Sequence, residues 1–586
     1  MTPSPNEESA LQAAERAPAR PLSVTLAAVN SQYVHAALAP WCLKAGVEKY
    51  ARLPHGVRVA EGTVNEPQEQ LLARLTEGAP DLLGLSCYIW NIRAVGELLP
   101  KLRDKLPGCA IVLGGPEVSF RAADALAAFP EADYLIAGEG ERPLALLADA
   151  LGGLGGLLDI PGLCYRQGNQ TIVSEPHAED AVPPAPLSPD ALRPLRGRIA
   201  YLETSRGCPY ACAFCLSGRA GRTRFLPLPQ AFEAIQALAN AGAGTVKFVD
   251  RTFNADRARA AAILGFIREE YGRGVPEGVA FHFEIAGDLI DRALLDIVED
   301  SPAGLFQFEI GLQSMNPETL LRIRRNTDMA RLKENIRALT ATGKAHVHLD
   351  LIAGLPGEGL CGFAAGVDEA VSLAPHTLQL GFLKLLHGSA MREEPENYPC
   401  RFDPLAPYEV LETPWLGPGD IQALKRVERG LDKAYNAGRF QGTLRFLFSQ
   451  GVSPFAFFET LGRDIPAPAA GQSGLSLEEL TRLVHDAATR ALPHETPRLR
   501  DLLLLDRLAS TPTTVMPACL KTPDARFHMA KRALDRRFPR EPGRLRAIGF
   551  LYATPGAELA YCDYGRKNPV TGLYEVRTLR MEELGM

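Results

Sequence analysis

The chain has 586 residues, 46% hydrophobic and 23% charged, and because a single core stops growing near roughly 250–300 residues this length predicts several domains. A formal net charge of −6 and a pI near 6.1 exclude the broad basic field that holds a phosphate backbone, so no nucleic acid partner is expected. No apolar run approaches the roughly 18 residues of a membrane-crossing helix, and residues 1–20 contain no apolar stretch of the kind a secretory leader needs; they read as a disordered tail, and the chain reads as soluble and cytoplasmic, with no membrane partner.

Residues 21–175 alternate short apolar runs with segments of helical period: LSVTLAAV, a helix from Ala36, VRVAEG, a helix near Gln68, DLLGLSCY, a helix near Ala94, AIVLGG, a helix from Ala122, YLIAGEGE, and then a hairpin at Leu163 to Val173. Alternating strands and helices predict a doubly wound, Rossmann-like parallel sheet. Ligands of such sheets bind beyond the carboxyl ends of the strands, which places Asn30 to His35, Ser86 to Asn91, Gly114 to Glu117 and Gly138 to Arg142 around one crevice.

Residues 176–198 are rich in Pro and acidic side chains without an apolar period and read as a linker. From 199 to 390 come IAYLET, GTVKFVD, VAFHFEI, GLFQFEIGL, AHVHLDLIAGLP and LQLGFLKLL, separated by helical stretches. Six βα units in a row predict a partial (β/α)6 barrel with its chemistry at the carboxyl ends of the strands. Residues 391–586 form a mainly helical third domain that ends in short strands near AIGFLYAT and AELAYCDYG. Tyr408, Trp415, Arg426, Tyr435 and Tyr564 are its candidates for shaping a pocket, against the alternative of an ordinary amphipathic-helix core.

Eleven cysteines, an odd number scattered over this length, do not make a disulfide framework, and most read as small buried hydrophobes. Cys208, Cys212 and Cys215 are different. They follow C-x3-C-x2-C on the loop leaving the first barrel strand, where three thiolates can meet one cluster and leave a fourth iron of a [4Fe-4S] centre open. A zinc site completed by His282 or another Cys is the structural alternative.

This motif resembles that of the radical S-adenosylmethionine (SAM) superfamily. The resemblance implies that SAM chelates the open iron through its amine and carboxylate, and that one electron from the reduced cluster breaks a C–S bond to give a carbon radical. It also implies SAM contacts from Phe214 beside the last cysteine, from Glu309 and Gln313 in FEIGLQS, and from Ile352 to Leu355 in VHLDLIAGLPGE. Where many members have a Gly-Gly-Glu loop this chain has FVDRTFN, which leaves Asp250 or Arg251 for the amine.

A Rossmann-like domain directly before such a barrel resembles the cobalamin-dependent class. By that resemblance Ser86, Gly114, Gly115, Glu139 and Gly140 approach the corrin, with Tyr33, Tyr88 and Trp90 packing against it; glycine there lets backbone come close to a flat macrocycle. The D-x-H-x-x-G motif that supplies a cobalt-ligating histidine is absent, since the loop reads NSQYVHAAL and His35 is out of register. NSQYVHAALAPWCL, VDRTFN, FEIGLQS and GFLKLLHG together resemble B12-binding radical SAM proteins with a carboxyl-terminal DUF4080 domain.

The resemblance implies a methyltransferase acting on an unreactive carbon of a small-molecule or natural-product substrate, supplied with electrons by a flavodoxin or ferredoxin, with the cofactors carrying the hard chemistry. Alternatives are transfer of the 3-amino-3-carboxypropyl group of SAM, for which Cys519 in MPACLKT is a candidate thiolate, a radical rearrangement, a methylthiotransferase with Cys42, Cys87 and Cys109 on a second cluster, or a cobalamin or iron–sulfur redox sensor. The spacing of the last three cysteines and the lack of a recognisable terminal RNA-binding barrel disfavour the methylthiotransferase. The intact βα units disfavour the sensor.

Overall fold

The computed structural model describes residues 19–220, 222–466, 475–521 and 524–586; most of the predicted tail, residues 1–18, lies outside the described residues. The chain divides into two compact units, the first made of residues 1–284, 384–398 and 402–409, the second of 285–383, 399–401 and 410–586.

The first unit begins with β1 (Ser23–Asn30), β2 (Gly56–Thr63), β3 (Leu82–Ser86), β4 (Ala110–Gly114) and β5 (Tyr134–Ile136), followed by β6 (Leu163–Gln167) and β7 (Gln170–Val173). They form one seven-stranded sheet in the order β2-β1-β3-β4-β5-β6-β7. The first five are parallel, and the hairpin predicted at Leu163 adds two antiparallel strands at the β5 edge. β3, LLGLS, is buried at every position, as expected of a central parallel strand covered on both faces. The helix Ile92–Lys105 buries Ile92, Val95, Leu98, Leu99 and Leu102, the spacing of a single apolar stripe. The strand order reverses between β1 and β3, which is where an open α/β sheet offers its crevice.

The same unit continues with β8 (Ile199–Leu202), β9 (Ser205–Arg206), β10 (Arg224–Phe225), β11 (Thr245–Phe248) and β12 (Ala280–Ile285). β8, β11 and β12 are parallel neighbours, joined through the crossover helices Leu228–Asn240 and Arg257–Glu270. β9 and β10 are short and antiparallel, pairing Arg206 with Arg224, so they close the base of the loop that carries the three cysteines.

In the second unit β13 (Phe306–Gln313), β14 (His346–Ala353) and β15 (Thr377–Phe382) are again parallel. All six predicted βα strands are therefore present, three in each unit. β13 and β14 alternate buried and half-buried residues along their whole length: Phe306, Phe308, Ile310 and Leu312 enter the core, leaving Glu309, Gly311 and Gln313 on the other face. The carboxyl-terminal part is mainly helical, from Pro418–Gly430 to Phe527–Arg537. It ends in a three-stranded antiparallel sheet of Arg546–Phe550, Leu559–Asp563 and Arg577–Leu579. Two of those strands are the predicted ones, and the third is only three residues long.

Candidate cluster and cofactor site

The cysteine loop leaves β8 through Thr204 and Ser205, whose backbone N–H groups both donate to Asp250 Oδ1, at 2.7 and 3.0 Å, while the Thr204 hydroxyl donates to Oδ2. Asp250, at the end of β11, is 1% exposed; burial pushes its carboxyl above the usual range, and the Thr204 and Ser205 donors oppose that shift. Asp250 is thus an anchor for the entry to the loop. Gly207 follows with φ +99°, and a Cβ there would approach the Arg222 carbonyl oxygen to 3.0 Å, so the tight turn before Cys208 needs glycine.

Cys208 Sγ lies 3.4 Å from the Thr252 hydroxyl. The buried Cys212 accepts the Cys215 N–H on its carbonyl at 3.0 Å, and the Ser217 N–H points at Cys215 Sγ from 3.4 Å. Phe214 is half-buried beside them. Among the described residues no trio of His, Cys, Asp or Glu side chains has converged on one point; the loop fits a cluster through its donor chemistry, three soft thiols on one short loop, with N–H and O–H groups beside two of the sulfurs.

The crevice of the first sheet lies in the same unit. After β1, Tyr33 is 77% exposed, with the Arg198 guanidinium 5.0 Å from its ring centroid. His35 is committed elsewhere: its Nδ1 lies 2.6 Å from the Tyr201 hydroxyl, its backbone bridges to Ile199, and burial, then Lys247 and Arg198, hold its pKa below the usual range. After β3, Tyr88 and Trp90 stack with centroids 4.3 Å apart and planes within 6°, and Trp90 is half exposed, which leaves aromatic surface for a flat ligand. Asn91 closes the predicted crevice segment after β3; its buried amide donates to the carbonyls of Val29 and Ser86 and its oxygen accepts the Tyr88 N–H, tying that loop to the carboxyl ends of β1 and β3.

Ser86 is buried at the end of β3 and Gly114 pairs with it across β4. Gly115 has φ +111°, and a Cβ on it would lie 2.5 Å from the Cys87 carbonyl oxygen. Gly140 sits against Leu43, which a Cβ would meet at 2.9 Å. Glu139 turns its carboxylate to Arg206 and Arg224; burial would raise its pKa, but the Arg224 hydrogen bond and the two guanidinium charges hold it below the usual range. Burial pushes the Tyr88 phenol up to about 12, and the other groups acting on it are Cys42, Cys87, Arg251 and Glu203. Glu203 and Arg251 stand just after β8 and β11, and the salt bridge from Arg206 to Glu139 links the loop after β5 to the cysteine loop.

Glu117 closes the predicted crevice segment after β4, though the sequence marks no role for its side chain. It is buried after β4, accepts a hydrogen bond from Tyr408 and has Arg121 at 3.7 Å. Arg392 lies 4.6 Å over the Tyr408 ring and His387 meets it edge-on at 5.1 Å; burial, Arg392 and Arg121 push the His387 pKa down to about 4.

In the second unit Glu309 and Gln313 lie on the half-buried face of β13. Gln313 has φ +65° and folds back over Gly311, leaving no room for a Cβ there. Ile352 is half-buried on the corresponding face of β14, whereas Leu355 is fully buried. Both quoted motifs also supply a pair that was not anticipated: the Ser314 hydroxyl donates to Glu358 Oε1 at 2.7 Å, and burial pushes the Glu358 carboxyl up to about 7 against that hydrogen bond.

The five candidates for a pocket in the third domain each have a structural partner instead. Tyr408 holds Glu117, Trp415 stacks under Arg322 at 5.9 Å, Arg426 pairs with Glu459 at 2.7 Å, Tyr435 donates to the Pro375 carbonyl at 2.6 Å, and Tyr564 packs in the core of the terminal sheet. Cys519 is half-buried, and burial raises its thiol pKa, which works against a thiolate role.

Comparison with known proteins agrees with this architecture. Three family models match in order: "B12 binding domain" over residues 25–148, "Radical SAM superfamily" over 202–367, and "Protein of unknown function (DUF4080)" over 396–541. The chain is 28% identical over 338 residues to the 2-(S-pantetheinyl)-carbapenam-3-carboxylate methyltransferase of Streptantibioticus cattleyicolor, covering 53% of this chain and 47% of that protein. It is 29% identical over 354 residues to the cobalamin-dependent radical SAM methyltransferase TokK of Streptomyces tokunonensis, covering 56% and 51%. The chain thus spans about half the length of these curated relatives. The structure of the cobalamin-dependent SAM radical enzyme OxsB with aqua-cobalamin and SAM bound superposes with a TM-score of 0.58 at 14% identity, covering 82% of this chain and 80% of that one, which establishes the shared fold. The chain thus combines, in order, regions that match the B12 binding domain, the radical SAM superfamily and DUF4080.

Proposed function

We propose that this protein is a cobalamin-dependent radical SAM methyltransferase that acts on an unreactive carbon of a small-molecule or natural-product substrate. The observation that carries the reading is the juxtaposition, within one compact unit, of the cysteine loop and the α/β crevice, joined where Arg206 beside the cysteines meets Glu139 and Glu141 of the loop after β5. When bound, the cluster with SAM supplies a hydrogen-abstracting radical and cobalamin supplies the methyl group.

The chain's own residues hold and orient these groups. Cys208, Cys212 and Cys215 ligate the cluster, and Thr252 lies beside the first sulfur. Tyr88 and Trp90 offer the corrin an aromatic face, Tyr33 flanks it, and Ser86, Gly114, Gly115, Glu139 and Gly140 let backbone approach it. Phe214, Glu309, Gln313 and Ile352 contact SAM through side chains, and the buried Leu355 does so through its backbone. Asp250 acts on SAM by fixing the loop, since its carboxylate is already filled by Thr204 and Ser205. A flavodoxin or ferredoxin in the cytoplasm is the electron source we assign.

The reading is tested by anaerobic reconstitution with iron, sulfide, cobalamin, SAM and a reductant. The expected result is tightly held cobalamin, seen by absorbance, with 5′-deoxyadenosine as a cleavage product. Protein that takes up iron but no cobalamin, or that yields methylthioadenosine in place of 5′-deoxyadenosine, would overturn it.

A further inference from the structure

Between the crevice and the cysteine loop lies a network of five charged side chains that none of the roles above requires. Arg206 stands two residues before Cys208, on β9. Its Nε donates to Glu203 at 3.0 Å, and Nη2 donates both to Glu203 at 2.7 Å and to Glu141 at 2.8 Å. Its Nη1 faces Glu139 at 3.1 Å. Arg224, its cross-strand partner on β10, takes the other side of Glu139 and also donates to the Glu179 carbonyl.

Glu139 and Glu141 belong to the GEGE loop after β5, and Glu203 and Arg206 bracket the entry to the cysteine loop. The side chains of Arg206, Arg224, Glu139 and Glu141 are all less than a fifth exposed. Three carboxylates, of Glu139, Glu141 and Glu203, face the Arg206 guanidinium within 3.1 Å, so it stays a cation. A planar fork can serve three carboxylates at once from fixed directions, which an ammonium cannot. Charges buried in this way hold a single geometry, because losing one partner leaves the others desolvated and unpaired.

We propose that Arg206 is a positioning residue that clasps the loop after β5 to the cysteine loop, so that the corrin platform and the cluster ligands keep one spacing, and that its charge sets the potential of the cluster. The proposal rests on the cobalamin and cluster reading above. Two consequences separate geometry from charge. The fork is needed for the spacing, and any cation at this position serves the potential, since nearby charge is one of the levers on an iron–sulfur centre.

The test compares the full-length wild type with Arg206→Gln and Arg206→Lys. In chains without cofactors, hydrogen exchange should accelerate together at residues 138–142 and 205–215 in both variants. In reconstituted chains Arg206→Gln should bind cobalamin roughly tenfold more weakly, the size expected when coupled neighbours are separated, and should shift the cluster midpoint to more negative potential. Arg206→Lys should restore the potential and leave cobalamin binding weak. Exchange that accelerates in only one of the two segments, or a variant pair with wild-type cobalamin affinity and potential, would overturn the clasp. Wild-type protein that binds no cobalamin would instead sink the functional reading, while the exchange experiment would still report on the clasp.

Discussion

The cysteine loop and the crevice loops of the first domain perform their tasks with opposite parts of the residue. The cysteine loop presents side chains: three thiols stand on a loop that is itself fixed by buried contacts at its base, the Asp250 anchor and the β9–β10 ladder. The crevice presents backbone, with Gly115 letting the loop after β4 pass close against the Cys87 backbone and one aromatic pair offering a flat face. A ligand set of soft donors tolerates almost no chemical change. A backbone surface tolerates chemical change but no added volume.

That contrast predicts a crossed pair of phenotypes. Cys212→Ala removes a ligand outright, so iron content and SAM cleavage should fall to background while cobalamin is still retained; loss of both cofactors together would break the distinction. Gly115→Val should do the reverse. Its side chain would have to occupy space 2.5 Å from the Cys87 carbonyl at a φ of +111°, a conformation that β-branched residues rarely adopt, and strain plus clash of this kind costs about 2–4 kcal/mol. Cobalamin affinity should drop roughly 100-fold, with the cluster's absorbance and iron content unchanged. Equilibrium dialysis with cobalamin, read beside iron analysis on the same samples, decides both.

The same contrast explains what could be read from the sequence. The strand–helix alternation from Ser23 to Phe382 was legible because periods of two and 3.6 are local, and the cysteine motif because its three ligands lie within one loop. What escaped notice are pairs with no local signature. Glu117 meets Tyr408 across 291 positions, Arg206 meets Glu141 across 65, and Ser314 meets Glu358 across 44, so even where a partner falls in a predicted crevice segment or among the pocket candidates, nothing local names the residue it pairs with. Asn91, at the end of a predicted crevice segment, reads as turn chemistry after a strand, and only the fold shows that its amide ties that loop to the ends of β1 and β3. The short strand Arg577–Leu579 carries too few residues to establish a period.

The smallest expected effect concerns Glu117, where the crevice depends on a side chain after all. Burial raises the Glu117 pKa, and the Tyr408 hydrogen bond, with the charges of Arg121 and Arg392, works against that shift. Tyr408, itself pushed up to about 12 by burial and then by Glu117, stays protonated through any working pH and so remains a donor. Tyr408→Phe removes that donor and moves the Glu117 pKa further up. A carboxyl whose folded pKa lies above its unfolded value has its full stability below the unfolded pKa and loses it as pH rises through the folded one. The variant should therefore be almost as stable as wild type below about pH 4, under the ordinary glutamic acid value, and less stable by about 1–3 kcal/mol near pH 8, the cost of leaving a buried carboxylate short of a donor. Thermal unfolding of both proteins across that range measures the difference, and a gap of the same size at both ends would show that Tyr408 acts through packing alone.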